Sequence, residues 1–420
     1  MELFKRLVIA LAILVATSEC ALASSDSKDR VASKDAPESA LAKIESQKLL
    51  PPVKVIDQGE IRLPLAVSRR GILLTLTRWG STTLAFFDMA RRSPTPVITK
   101  PTSQLEVSVA GTKVAYLSRE GISPSNNHIE ILDLDKYRRQ LIEPAQDFAI
   151  LGFSLSPTGE HLTFAQINLR SSRSHRIAWR IAVADLERQT SRISMTSPHK
   201  SLPERVIPIP IAWSGKTKEI YFQGLVPFQG MVHRGIWATA SNGSGLRQII
   251  SEPSYTGVPR ISPDGAYLAH FATKIDALPR GYIPSPGVPP ANILVIRSLP
   301  AGEESVLSHR VESVFGQLAW AYTGAEILVS RREWFEGRFR DAAIERVRRQ
   351  GIVELQKLFL SPAQTVTGIA ECGPGALLWV EEGPKGATLI EAKPDEAPAT
   401  LLSLPDGKIE LIRCLGGLAR

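Results

Sequence analysis

Short apolar stretches alternate with glycine-bearing turns along almost the whole chain. The sharpest example runs from Pro259 to His270. A strand ends at Ile261, Ser262-Pro263-Asp264-Gly265 turns the chain, and an alternating strand leaves from Ala266. Proline presets φ for a tight turn, aspartate bonds N–H groups beyond it, and glycine accepts positive φ. Equivalent turns carry Gly71, Gly111, Gly159, Gly215, Gly324 and Gly375, at intervals from 40 residues (Gly71 to Gly111) to 59 (Gly265 to Gly324). The strands after them read ILLTLTRW, KVAYLSR, HLTFAQI, EIYFQG, YLAHFA, EILVSRR and ALLWVEE. A further aligned set, TLAFFDM, HIEILDL, RIAVADL, GIWATAS, NILVIRS, AAIERVR and ATLIEAK, supplies a third strand to each unit.

A repeat of this length, with four strands per unit, predicts an all-β fold: a β-propeller of four-stranded blades. Seven units are counted, or six if the weak first or last unit only completes another blade. Packing the sheets radially buries their faces, and joining the chain ends removes the open seam. Val53-Lys54-Val55-Ile56 and Ile409-Glu410-Leu411-Ile412 are the candidate closing strands.

At Ser262-Pro263-Asp264-Gly265-x-x-Leu268-Ala269, and in the hairpin from Ile236 through Asn242-Gly243-Ser244-Gly245 to Ile250, the chain resembles the TolB-like propellers of bacterial envelopes. The resemblance spans roughly residues 52–415 and is sharpest in units three to five. TolB carries a separate α/β domain ahead of its propeller, and residues 24–50 are too short for one. The resemblance therefore implies a stand-alone relative, and the partners of TolB do not carry over.

Residues 1–23 read as a secretory signal, with Lys5-Arg6, an apolar run from Leu7 to Ala16, and Ala21-Leu22-Ala23 as the cleavage site. Residues 24–51, polar and poor in aromatics, read as a flexible linker, and 52–420 as the propeller. Export to the periplasm or medium follows. Removal of Cys20 with the signal leaves Cys372 and Cys414, in a compartment where pairing is allowed. Cys372 lies at the first turn of the last unit and Cys414 in the terminal strand. A disulfide would tie the chain end to that blade; two buried thiols are the alternative.

The formal charge is +8. A basic surface suits anionic lipid, polysaccharide or an acidic protein, and an ordinary solvated surface is the plainer explanation. Nucleic acid is not expected for an exported chain without a recognition motif. A monomer is expected.

No G-x-S-x-G elbow is present, and the seven histidines never fall at H-x-H or H-E-x-x-H spacing. Neither a catalytic residue, a metal nor a cofactor is assigned. The loops carry more information. The connection between second and third strands is tight at Gly80-Ser81-Thr82 and at Gly383-Pro384-Lys385-Gly386, and longer in the five units between. All five longer connections emerge at one end, where binding residues concentrate on rigid scaffolds. They mix aromatics with arginine, the residues favoured at binding hot spots. The candidates are Arg173, Arg176, Phe228, Arg234, Tyr282, Trp334, Phe335 and Arg338, set against the plainer reading of covered blade edges and solvated charge. The expected function is a non-catalytic binding or scaffolding module for an envelope protein or a glycan. The rival is a glycan-active hydrolase or lyase with its site at the central channel.

Overall fold

The computed structural model describes residues 53–415 except 61–70, 103–104, 120–126, 171–176, 204–205, 227–231, 252–255, 275–277, 279–290, 300–301, 309–312, 336–337, 349–350 and 362. The expected signal and linker lie outside the described residues. Twenty-nine strands form seven antiparallel sheets. Strand β1 (Lys54–Glu60) is followed by β2 (Gly71–Arg78), β3 (Ser81–Asp88) and β4 (Ser93–Lys100) of blade 1. Blade 2 holds β5 (Glu106–Ala110), β6 (Lys113–Arg119), β7 (Asn127–Asp133) and β8 (Arg138–Glu143). Blade 3 holds β9 (Phe148–Leu155), β10 (His161–Asn168), β11 (Trp179–Asp185) and β12 (Thr190–Thr196). Blade 4 holds β13 (Ile207–Trp213), β14 (Glu219–Val226), β15 (Val232–Ala240) and β16 (Arg247–Ile250). Blade 5 holds β17 (Thr256–Ile261), β18 (Tyr267–Ala272), β19 (Ile293–Ser298) and β20 (Glu304–Ser308). Blade 6 holds β21 (Ser313–Trp320), β22 (Ile327–Phe335), β23 (Arg338–Arg348) and β24 (Gly351–Leu358). Blade 7 holds β25 (Thr365–Glu371), β26 (Leu377–Gly383), β27 (Gly386–Ala392) and β28 (Ala399–Pro405), and β29 (Gly407–Leu415) ends the described chain.

The first strand of each of blades 2 to 7 lies innermost, and β29 takes that place in blade 1 by pairing with β2. These seven inner strands touch in a closed ring, β29 to β5 and onward through β25 back to β29. The fold is thus a seven-bladed propeller. The two candidate closing strands do not pair with each other. The C-terminal strand alone closes the ring, while β1 adds a fifth, outermost strand to blade 2 against β8. That position caps the unpaired edge of β8.

There is no single core. Seven hydrophobic clusters lie one between each pair of successive blades. Middle strands are buried on both faces, which is why they read as nearly continuous apolar runs. In β2, Leu73 packs toward blade 2 while Ile72 and Leu74 pack toward blade 7. Each such fully buried side chain contributes roughly 1.5–3 kcal/mol. Trp237 and Trp379 are core residues. Trp213 and Trp320, on inner strands, instead donate their indole N–H to backbone carbonyls of the preceding blade, Ser154 at 3.2 Å and Arg260 at 3.1 Å.

The short turns after the inner strands of blades 2 to 7 gather at one end of the propeller, the turn end. There the turns of blades 3 to 6 rest on the turn before them. A Cβ on Gly265, whose φ is +72°, would meet Ser214 Oγ at 2.7 Å and the Gly215 nitrogen at 2.9 Å, so glycine is required twice over. Ser214 Oγ donates to the Gly265 carbonyl at 2.7 Å. Asp264 accepts from the Ser262 hydroxyl and from the Ala266 N–H. Burial alone would push the Asp264 carboxyl up; those hydrogen bonds outweigh it and hold it below its ordinary value.

Cys372 and Cys414 are disulfide-bonded, with Cα atoms 5.3 Å apart. Cys414 lies on the C-terminal strand, which is the inner strand of blade 1, so the bond ties that strand to the last blade as expected, but it does so across the seam between blades 7 and 1.

Candidate functional site

The connections between second and third strands, and those leading from one blade to the next, emerge at the other end, the loop end. Of the residues nominated from sequence, Arg173, Arg176, Phe228 and Tyr282 lie outside the described residues. Arg234, Phe335 and Arg338 fall on strands β15, β22 and β23, with side chains outside the description. Trp334 is described, half-buried, at the loop end of blade 6.

The stretch around Trp334 is not the open loop its length suggests. Strand β22 runs through Phe335 and β23 resumes at Arg338, leaving 336–337 as the connection. Trp334 stands directly opposite Phe339, ring centroids 4.7 Å apart and edge to face. The Arg332 guanidinium lies 3.7 Å over the Phe339 ring, and Arg332 donates to the Ser361 carbonyl at 3.4 Å. Cross-strand aromatic and cation–π pairs of this kind prolong a ladder that would otherwise fray. The basic run from Arg331 to Arg349 is paired beyond its own hairpin as well. Arg331 bonds Glu345 at 2.7 Å, and Arg346 reaches Glu326 at 3.1 Å and Glu371 at 2.5 Å.

Ser361 belongs to the connection from blade 6 to blade 7 and also lines a cleft of about 440 Å³ at the loop end of blade 7. Glu381, Thr388 and Ser403 stand directly opposite one another across β26, β27 and β28, forming one row of its wall. Gln364 and Lys385 complete its polar lining. Two residues before Ser361, Phe359 is 88% exposed.

Sequence reasoning missed Trp79. It forms, with Gly80, the two-residue turn between β2 and β3, and both have positive φ, 50° and 76°. Such turns favour Asn-Gly or Asp-Gly. A tryptophan there is strained by about 1–2 kcal/mol and is also 80% exposed, with the Arg78 guanidinium 3.9 Å over its ring. Loop length was the signal followed, and this turn is among the shortest. The wrong residue in a hairpin turn was the signal available.

Beneath the loop end, between blades 1 and 2, Glu130 is fully buried. It accepts from Tyr116 Oη at 2.5 Å and Lys100 Nζ at 2.6 Å, pairs with Arg139, and contacts His128 Nε2 at 3.2 Å. Burial alone would raise its carboxyl, but the bonds from His128, Lys100 and Tyr116 outweigh burial and hold it far below the carboxylate range. Burial, with Glu130 alongside, pushes the Tyr116 phenol well up. This network braces the blade interface.

The channel wall carries its own charges. On β29, Glu410 is reached by water yet enclosed by the ring of strands, and that enclosure pushes its carboxyl up, against Arg260 of β17 and a 3.5 Å contact from Thr75. Arg413 donates to the Val109 carbonyl at 2.9 Å. Among the described residues, no three of His, Cys, Asp and Glu gather as a metal would require.

No family model and no curated protein matches the chain. Solved structures do. An oligogalacturonate lyase in complex with manganese is 12% identical over 83% of this chain and 92% of its own, with a TM-score of 0.49. A prolyl endopeptidase is 12% identical over 70% of this chain at a TM-score of 0.47, and this chain spans 41% of its length. A protein assigned as TolB from Agrobacterium tumefaciens is 12% identical over 69% of this chain and 90% of its own, with a TM-score of 0.41. At such identities a likeness concerns fold and transfers no activity. What the strands themselves establish is a closed, seven-bladed β-propeller with an interlocked turn end and an aromatic-bearing loop end.

Proposed function

We propose that the chain is an exported, non-catalytic propeller that binds an envelope protein or a glycan through its loop end. One observation carries the reading. Trp79 and Phe359, 80% and 88% exposed, stand at the loop end, Trp79 in a conformation that packing does not repay, whereas at the turn end the turns of blades 3 to 6 contact the turn of the preceding blade. Strain of that kind points to function. A rigid ring lets such residues meet a partner with little ordering cost. The disulfide supports an oxidising compartment, and the basic charge suits an anionic envelope surface.

A propeller captured from envelope extracts should retain its partner when Asp264→Ala alters the turn end and lose it with Trp334→Ala plus Arg338→Ala. Trp334→Ala should also lower stability by about 1 kcal/mol, because its ring packs on Phe339. Capture lost through Asp264→Ala and kept by the loop-end pair would put the working end at the turns. N-terminal sequencing of exported protein should begin at Ser24; a mature chain beginning at Met1 would overturn export with cleavage.

The channel supports a second reading, a glycan-active hydrolase or lyase. Its specific observation is the Glu410 carboxyl, which burial pushes up against the opposing pull of Arg260, in the direction a general acid needs. Glu410→Gln should then abolish turnover of a glycan substrate while leaving loop-end binding intact.

A further inference from the structure

The blade-7 cleft, at about 440 Å³, falls within the roughly 300–1,000 Å³ of small-molecule sites. Its charged lining is one Lys385 and one Glu381, which cancel, although the chain as a whole is +8. Glu381 accepts the Trp379 indole N–H at 2.8 Å, and the Gln364 carbonyl oxygen accepts the Ser361 N–H at 2.9 Å. These bonds fix both side chains. They leave the Gln364 amide nitrogen and the Thr388 and Ser403 hydroxyls without partners among the described residues.

A concave site with hydroxyl, amide and balanced charged groups offers many donors and acceptors and no net field. An acidic polymer gains nothing from such a cleft, and an apolar peptide anchor would leave its hydroxyls unpaired. A sugar ring fits both halves of the chemistry. Its hydroxyl rim exchanges hydrogen bonds in both directions, and its C–H face lies flat on an aromatic ring. A flat aromatic stands close to the cleft in the chain: Phe359 leads to Ser361 and Gln364 on the blade-6 side, the side that Glu381 and Thr388 also face, whereas Trp79 of blade 1 lies beyond blade 7.

We propose that the cleft holds a short segment of an uncharged oligosaccharide, with Phe359 as a stacking platform. This rests on the loop-end reading and narrows its partner to a glycan. Hydrogen bonding to neutral groups, rather than charge, sets the affinity. Binding therefore ignores salt, unlike the general attraction of a basic protein for polyanions.

The test is calorimetric titration of the full chain with three neutral probes, chitohexaose, cellohexaose and maltohexaose, and with an acidic one, a hyaluronan hexasaccharide. At least one neutral probe should bind saturably. Its affinity should hold within about twofold when ionic strength rises from about 0.1 to about 1 M, which shortens screening from about 10 to about 3 Å. Phe359→Ala should weaken it about tenfold, and Thr388→Val roughly fivefold. Trp79→Asn, beyond blade 7, should leave saccharide binding unchanged and the melting temperature unchanged or higher, since asparagine suits the turn.

Binding of none of the neutral probes would overturn the proposal. So would binding of hyaluronan alone that collapses in salt, or neutral binding that Phe359→Ala and Thr388→Val leave untouched. Parallel capture from envelope extracts separates the two levels. Protein capture that fails with Trp79→Asn, alongside no saccharide binding, sinks the glycan and keeps the loop end. Capture indifferent to Trp79→Asn and Phe359→Ala removes both.

Discussion

At the two ends of the propeller, Gly265 and Trp79 show positive φ put to different use. At the turn end, Gly265 takes positive φ because Ser214 and Gly215 of the neighbouring turn occupy the space of a Cβ. Gly324 likewise leaves room for Pro263, 3.3 Å from where its Cβ would be. Glycine takes that conformation without strain, and the room it leaves is filled by the neighbouring blade. At the loop end, Trp79 takes positive φ and packs against almost nothing. Exposed side chains at positive φ occur at the turn end too, Arg92 and Tyr137 among them, so Trp79 is set apart by a large apolar ring left 80% exposed rather than by its φ alone.

Four changes test that contrast, the largest first. Removing the disulfide with Cys372→Ala plus Cys414→Ala should lower stability by about 4 kcal/mol on the chain-entropy account, for a separation of 42 residues. Urea unfolding measures it, and binding by the folded fraction should persist because the bond sits at the turn end.

Glu130→Gln should lower stability by about 3 kcal/mol near neutral pH, since Lys100 and Arg139 lose their buried counter-charge. The sign with pH follows from a carboxyl held far below its ordinary value. Its contribution is present above the unfolded value of about 4.3 and is lost as pH falls toward the folded one. The gap between wild type and variant should therefore shrink below about pH 4. A constant gap would mean that the network is not ionised as described.

Gly265→Ala should lower stability by about 2–3 kcal/mol, from left-handed strain plus the clash with the Ser214 turn. A variant as stable as wild type would show the interlocked turns to be loose. Smallest is Trp79→Asn, which should raise stability by up to about 1 kcal/mol. A clear loss would make Trp79 structural and erase the contrast.

The repeat was legible because blades 2 to 7 each carry a glycine turn after the inner strand; Gly71, read as the first of seven such turns, instead opens β2, because β29 supplies the inner strand of blade 1. Both faces of the middle strands are apolar because each packs on a neighbour. Closure was not legible. Strands β1 and β29 have similar short patterns, and local periodicity does not say whether a strand pairs at the inner edge of blade 1 or the outer edge of blade 2. The cysteine spacing was visible, but which blade owned Cys414 depended on that same closure. Trp334 was found by its company of arginines and aromatics, although it stands on a strand. Trp79 and the Glu381–Thr388–Ser403 row were not found, the one hidden in a short turn and the other assembled from three strands.

The most direct test of a working loop end is an amide hydrogen-exchange footprint with and without the captured partner or the bound saccharide. The account predicts added protection at 359–361 and 383–386, joined by 79–81 with the captured partner, with 215–217 and 263–265 unchanged. Protection confined to 215–217 and 263–265 would contradict it.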